Sequence, residues 1–220
     1  MKPKIIVEGT VGAGKTTFIN YISERLCLEP IYELTDSKLI QILENFYIDP
    51  SKWGFQLQIY FLTKRFKQMK IGCEKGNVVM DRSIFCDHIF PSVLLKRGEM
   101  TKLEYDIYKE LHSNLIEFST PPELMIYLKC STKTAIDRIK KRGRLWELSI
   151  DENYWEILNR EYEDFFGQYS LSSLLIINTD SVDERFSNIV QIVEEIFREP
   201  EKVIYEYNGN VVNKRSVANA

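Results

Sequence analysis

The stretch VEGTVGAGKTTF, residues 7–18, runs an apolar strand straight into a glycine-rich turn that closes on Lys-Thr-Thr. Gly9, Thr10, Val11, Gly12, Ala13, Gly14, Lys15 and Thr16 satisfy G-x-x-x-x-G-K-[ST], between a strand and a helix, where that pattern acts. The glycines let the backbone curl so that successive N–H groups point at phosphate oxygens, and the following helix adds the positive end of its dipole. Lys15 then reaches the outer phosphates, the Thr16 hydroxyl can ligate Mg2+, and Thr17 completes the set expected to bind ATP. The ligand expected is a Mg2+–nucleoside triphosphate.

Outward from this cradle, short apolar runs alternate with stretches whose apolar residues recur every three or four positions, the signature of strand-helix-strand units and a parallel sheet. Strands are expected at Lys4–Val7, Ile31–Leu34, Val78–Met80, Leu124–Cys130 and Leu174–Asn178. Helices are expected at Thr16–Leu26, Ser37–Asn45, Gly54–Lys70, Phe85–Lys96, Lys102–Phe118, Lys133–Lys141, Glu152–Tyr169 and Val182–Arg198. Pro50 separates the second helix from the third. The expectation is one α/β domain over residues 1–200. Residues 201–220 form a tail, with Asn208-Gly209 placed to turn a small hairpin before a frayed end.

The chain has 220 residues, 44% of them hydrophobic, and a formal charge of -3. That length buries one core, and the charge disfavours a protein that grips a nucleic-acid backbone. No apolar run is long enough for a bilayer, and the first strand starts at Ile5, so a cytoplasmic protein without a leader segment is expected. Cys27, Cys73, Cys86 and Cys130 are scattered, and neither they nor His88 and His112 show metal-ligand spacing. The N-K-x-D guanine signature of a switch GTPase is missing: the only Asn-Lys pair, Asn213-Lys214, continues into Arg215-Ser216.

Two further groups belong near the cradle. MDRS, residues 80–83, ends the third strand, and in an open parallel sheet ligands gather at the carboxyl ends of the strands. Asp81 there can hold Mg2+ through water, and Arg82 can lie between a moving phosphoryl group and its acceptor. Arg138, Lys141, Arg142 and Arg144 form a cationic run on a helix end and the loop after it. Such a lid, near residues 138–150, would close over a triphosphate and expel water.

GTVGAGKTT, WGFQLQIYFLTKR, MDRSIFCDHIF, TKTAIDRIKKRGR and YWEILNREYEDFF occur in this order between residues 9 and 166. Together they resemble the deoxyribonucleoside kinase family, in particular its bacterial deoxyadenosine and deoxyguanosine kinase branch. The resemblance implies a P-loop kinase fold with a five-stranded parallel sheet in the order 2-3-1-4-5, flanked by helices. It implies transfer of the ATP γ-phosphate to the 5'-hydroxyl of a deoxynucleoside, with Mg2+, in a homodimer; LKRGEMTKLEYDIYKELHSNL is the stretch suited to the dimer interface. It also implies that Gln58 and the Arg65–Asp87 pair read the base edge, that Trp53 and Phe90 wall the base, and that Tyr47 and Glu147 hold the sugar 3'-hydroxyl. An Arg–Asp pair of this kind goes with deoxyadenosine, deoxyguanosine or deoxycytidine and crowds the 5-methyl of thymidine.

The family carries its general base as a glutamate at the end of the second strand, usually followed by proline. Glu29 has the proline, Pro30, whereas Glu33 has the strand-end position; the strand-end rule selects Glu33. A neutral hydroxyl acceptor needs a carboxylate to take its proton, while a nucleotide acceptor needs cations for a second phosphate. Glu33, Asp81, Asp87 and Glu147 against Arg65 and Arg82 suit a nucleoside. The alternatives are a thymidylate or other nucleoside monophosphate kinase and a non-catalytic nucleotide-binding regulator.

Overall fold

Alternate residues of a strand face opposite sides of its sheet, and the first strand, β1 (Ile5–Glu8), is buried along its whole length. It therefore divides the interior into two layers. Ile6 joins Met80, Met125, Tyr127 and Tyr162 on one face. Ile5 and Val7 join Phe18, Ile22, Ile126 and Val193 on the other.

The computed structural model describes every residue except 34–35, 145–146, 148–149, 181–185, 187, 210–211 and 218–220. After β1 come α1 (Lys15–Arg25), β2 (Glu29–Ile31), α2 (Ser37–Ile48), α3 (Pro50–Lys75), β3 (Val78–Asp81) and a 3-10 turn (Ile84–Cys86). Then follow α4 (Ile89–Lys96), α5 (Lys102–Ile116), β4 (Leu124–Lys129), α6 (Thr132–Arg142) and α7 (Glu152–Gly167). β5 (Ser173–Asn178), α8 (Ile189–Arg198), β6 (Val203–Tyr207) and β7 (Val212–Ser216) complete the chain.

The sheet runs β2-β3-β1-β4-β5-β6-β7. Its first five members keep the expected order 2-3-1-4-5 and are parallel. Seven strands replace the expected five because the tail hairpin does not stand alone: β6 adds in parallel to β5, and β7 returns antiparallel to β6. Val203, Tyr205 and Tyr207 bury on one face and Ile204 on the other, which the open edge of β5 makes possible. β7 is exposed along its length, and its Lys214 and Arg215 pair with Glu199 and Glu206, charges that suit an outer edge.

Several boundaries differ from expectation, among them those of α3, which runs Pro50–Lys75 instead of Gly54–Lys70. β2 occupies Glu29–Ile31 instead of Ile31–Leu34, and Leu34 lies outside the described residues. Pro30 is tolerated because β2 is an edge strand bonded to β3 alone, so its missing N–H removes no ladder bond on the free side. The expected helix from Phe85 is a 3-10 turn followed by α4, with Pro91 in the first turn of α4, where an N–H would have no helical partner. The last helix begins at Ile189, and most of the residues expected to start it, from Val182, fall outside the described set. Asp49 caps α3, accepting from Lys52 N at 3.1 Å, and Pro50 takes the first helical position.

Candidate active site

Register brings the site together. Val7 lies opposite Asp81, and Ile31 opposite Met80. The chain leaving β1, β3 and β2 therefore delivers the glycine turn, Arg82-Ser83 and Tyr32-Glu33 to one carboxyl edge.

On the donor side Gly14 caps α1 at φ 95°. Gly12 stands at φ 84°, where an added Cβ would lie 2.5 Å from the Ala135 carbonyl oxygen. Both positions thus need glycine. Lys15 Nζ donates to the Gly9 and Thr10 carbonyls, each at 2.9 Å. Burial, reinforced by the Arg82 charge, lowers its pKa to about 8 against the pull of Asp81, Glu33 and Glu8. Thr10 is buried, Val11 is half-buried, and Thr16 and Thr17 are exposed. Arg138 on α6 lies against the turn, 3.4 Å from the Gly12 carbonyl and 3.5 Å from that of Ala13, and it bonds Thr179 Oγ1 and O at 3.0 and 2.8 Å.

On the acceptor side Arg65 of α3 joins two carboxylates. Its Nη2 donates to Glu33 Oε1 at 2.8 Å, and its Nη1 pairs with Asp87. Asp87 also accepts from Tyr108 at 3.1 Å. Glu33 lies 3.8 Å from Arg82 Nε. Burial alone would raise the Glu33 carboxyl, but the Arg65 and Arg82 guanidinia outweigh it and hold it below the ordinary glutamate value. Glu29 instead lies at the opposite end of β2, exposed and paired with Lys75, so only Glu33 of the two candidates reaches this edge.

Burial raises the Asp81 carboxyl, with Lys15 and Arg82 opposing, and its Oδ1 has no hydrogen-bond partner among the described residues. Gln58 is buried with its Oε1 likewise unpartnered. Trp53 and Phe90 are half-buried against the core, and Phe90 lies beneath Arg82, 5.0 Å from ring centroid to guanidinium carbon. Glu147 is buried, accepts from Arg142 at 2.5 Å and lies 3.5 Å from Arg144. Burial and the Glu147 charge together raise the Tyr47 phenol, so the two residues expected at the sugar share one neighbourhood. Leu145, Trp146, Leu148 and Ser149 of the lid lie outside the described residues.

The structure adds residues that the sequence reading passed over. Glu8 reads as the end of a buried strand, yet its Oε1 accepts from the Ser83 N–H and hydroxyl at 2.6 and 2.9 Å. Tyr162 reads as a core aromatic on α7, yet its hydroxyl accepts from Arg82. Gln68, one turn beyond Arg65, donates to the Tyr32 carbonyl at 2.6 Å and so pins the backbone next to Glu33. An acidic residue directly before the glycine turn was the one available signal for Glu8.

The profile of the family described as "Deoxynucleoside kinase" matches residues 5–205. The chain belongs to the deoxynucleoside kinase family. A deoxyguanosine kinase of Lactobacillus acidophilus is 37% identical over 188 residues, covering 81% of this chain and 82% of the relative. A deoxyadenosine/deoxycytidine kinase of Bacillus subtilis is 33% identical over 207 residues, covering 90% and 94%. A solved deoxyadenosine kinase of M. mycoides, with the products dCMP and a flexible dCDP bound, superposes with a TM-score of 0.77 at 36% identity, over 89% of this chain and all 100% of the other. As a deoxynucleoside kinase, the protein transfers a phosphoryl group from a nucleotide donor to a deoxynucleoside, the salvage reaction. Neither a nucleoside monophosphate kinase nor a non-catalytic regulator fits that membership.

Proposed function

We propose that this deoxynucleoside kinase phosphorylates deoxyadenosine, deoxyguanosine or deoxycytidine in preference to thymidine, using ATP, with Glu33 as general base. The observation that carries this reading is the buried Arg65 that holds Glu33 on one nitrogen and Asp87 on another. One end of that chain touches the acceptor hydroxyl and the other the base edge, so a single side chain registers the nucleoside between them. The L. acidophilus and B. subtilis relatives, named for deoxyguanosine and for deoxyadenosine and deoxycytidine, support the same range of bases.

Both guanidinium contacts of Glu33 fall on Oε1, and Oε2 takes the proton of the 5'-hydroxyl as the oxygen attacks. The pKa held below the ordinary value keeps this carboxylate ionised at neutral pH. Phosphoryl transfer has a loose transition state, so a weak but well-placed base suffices. Arg82 and Lys15 meet the negative charge of the moving group, and Arg138, Arg142 and Arg144 close over the donor phosphates. Gln58 offers a base edge both a donor and an acceptor, Trp53 and Phe90 supply flat apolar contact, and Tyr47 with Glu147 binds the 3'-hydroxyl.

Thr16 and Asp81 fit Mg2+: an exposed hydroxyl on the first turn of α1 and a carboxylate oxygen without a hydrogen-bond partner form the hard oxygen set that ion prefers. Mg2+ bound with the triphosphate supplies charge neutralisation at the phosphate oxygens. The homodimer proposed here uses α5, on which Leu103, Ile107 and Leu111 stand exposed at intervals of four. A cytoplasmic location agrees with four free cysteines.

The test measures ADP formation with the four deoxynucleosides at equal concentration, for wild type and Glu33→Gln. Thymidine as the best substrate removes the base assignment. Undiminished turnover by Glu33→Gln removes the general base.

A further inference from the structure

Arg82 stands at φ 69°, the left-handed region that a side chain disfavours because Cβ crowds the carbonyl oxygen. Such a conformation persists where surrounding contacts over-determine it. Here the contacts come from both ends of the residue. Its N–H donates to the Val7 carbonyl at 3.0 Å. The next residue, Ser83, gives its N–H and its hydroxyl to Glu8 Oε1. Glu8 Oε2 lies 4.0 Å from Arg82 Nη1, and the same Nη1 donates to the Tyr162 hydroxyl.

Glu8 is fully buried, and its Oε2 finds no hydrogen-bond donor among the described residues. A buried carboxylate left half satisfied is costly, and an apolar side chain would end a central strand more cheaply. Its position gives the carboxylate a role. Glu8 immediately precedes Gly9, so its carboxylate ties the turn that carries Arg82 to the strand that carries the phosphate cradle. Tyr162 is separable in the same way: its ring stacks on Tyr127 and Phe166 with centroids 6.2 and 6.4 Å away, which keeps it in place whether or not the hydroxyl is present.

We propose that Glu8 and Tyr162 are positioning residues for Arg82, the first imposing the left-handed backbone through Ser83 and the second fixing the guanidinium. This rests on the assignment of Arg82 to the transferring phosphoryl group. Neither residue touches substrate. Together they set the distance between the triphosphate cradle and the arginine that faces the acceptor.

Steady-state kinetics with ATP and deoxyadenosine, on the full chain, tests this with Tyr162→Phe, Glu8→Leu and Glu8→Gln, each alone and combined with Arg82→Met. Tyr162→Phe is expected to lower kcat about tenfold, the loss of one hydrogen bond to a charged group, with KM for ATP unchanged. Glu8→Leu is expected to lower kcat further, and Glu8→Gln, which keeps an acceptor oxygen for Ser83, to restore most of it. In the Arg82→Met background neither change adds a loss, because both act through Arg82. Losses of equal size in the two backgrounds overturn the proposal. So does full kcat in Tyr162→Phe and Glu8→Leu when Arg82→Met is inactive, a result that leaves the role of Arg82 standing. Wild-type turnover by Arg82→Met instead removes the reading of Arg82 itself, and the inference with it. Should Glu8→Leu not fold, Tyr162→Phe in the two backgrounds decides.

Discussion

Arg65 Nη2 lies 2.8 Å from Glu33 Oε1, so the carboxylate at the end of β2 is held by a guanidinium carried on α3. Arg65 is buried, with Asp87 on its other nitrogen. Replacing Arg65 with Met leaves Asp87 buried and unpaired, and the expected cost is about 3–5 kcal/mol of folding stability. Arg65→Met/Asp87→Met should recover much of that stability in urea unfolding while remaining poorly active. A double variant no more stable than Arg65→Met would contradict the pairing.

Glu33→Gln keeps the shape and the contact with Arg65 but cannot take a proton. A fall in kcat of about 10²–10⁴ is expected from loss of a general base. The nucleoside KM should change far less. The acid limb of wild-type kcat/KM should lie below the ordinary glutamate value, because burial is outweighed by Arg65 and Arg82, and Glu33→Gln should lose that limb.

Lys15 has a pKa of about 8 in the free protein, lowered by burial and by Arg82. A lowered lysine pKa means the charge that binds phosphate is present below pH 8 and lost above it. ATP affinity should therefore weaken as pH rises through 8, and binding at pH 8 should take up protons as the phosphates recharge the amine. Titration calorimetry in buffers of different ionisation enthalpy reads the uptake directly. It should vanish in Lys15→Arg.

His88 is held neutral with a pKa of about 4, by burial first and by neighbouring His112 second. A histidine whose folded pKa is depressed contributes stability that is present above about pH 6.5, the unfolded value, and lost as pH falls toward 4. Its share is on the order of 2 kcal/mol once partial exposure is allowed for. Urea midpoints at pH 7 and pH 4.5 should therefore draw closer together in His88→Gln than in wild type.

Leu103 and Ile107 are 71% and 49% exposed on α5, and they carry the proposed dimer face. Leu103→Glu/Ile107→Glu should convert a dimer to a monomer in light scattering while leaving the helix intact, since neither side chain is in the core. A wild-type monomer at micromolar concentration would refute the interface.

Much of the site could be read along the chain because its parts are local. The strand, glycine turn and helix of residues 5–25 are contiguous, so spacing alone reports the cradle. Asp81 and Arg82 likewise follow a short apolar run whose end must lie at the ligand edge. Pro30 can lie inside β2 because β2 is an edge strand, and edge status is a property of the whole sheet that a short apolar run does not report. The tail strands were hidden for the same reason. Val203 to Tyr207 read as an isolated hairpin arm until β5 is seen to offer an unpaired edge.

Local pattern thus established the glycine turn between a strand and a helix and the alternation of strands with helices, because backbone sterics and hydrophobic period act over a few residues, whereas the order 2-3-1-4-5 and the acceptor residues were implied by the family resemblance. That Arg65 also meets Glu33, that Ser83 meets Glu8 and that Arg82 meets Tyr162 was decided by packing. Those contacts join residues 32, 75 and 80 positions apart, and a chain has no means of reporting them until its strands are in register.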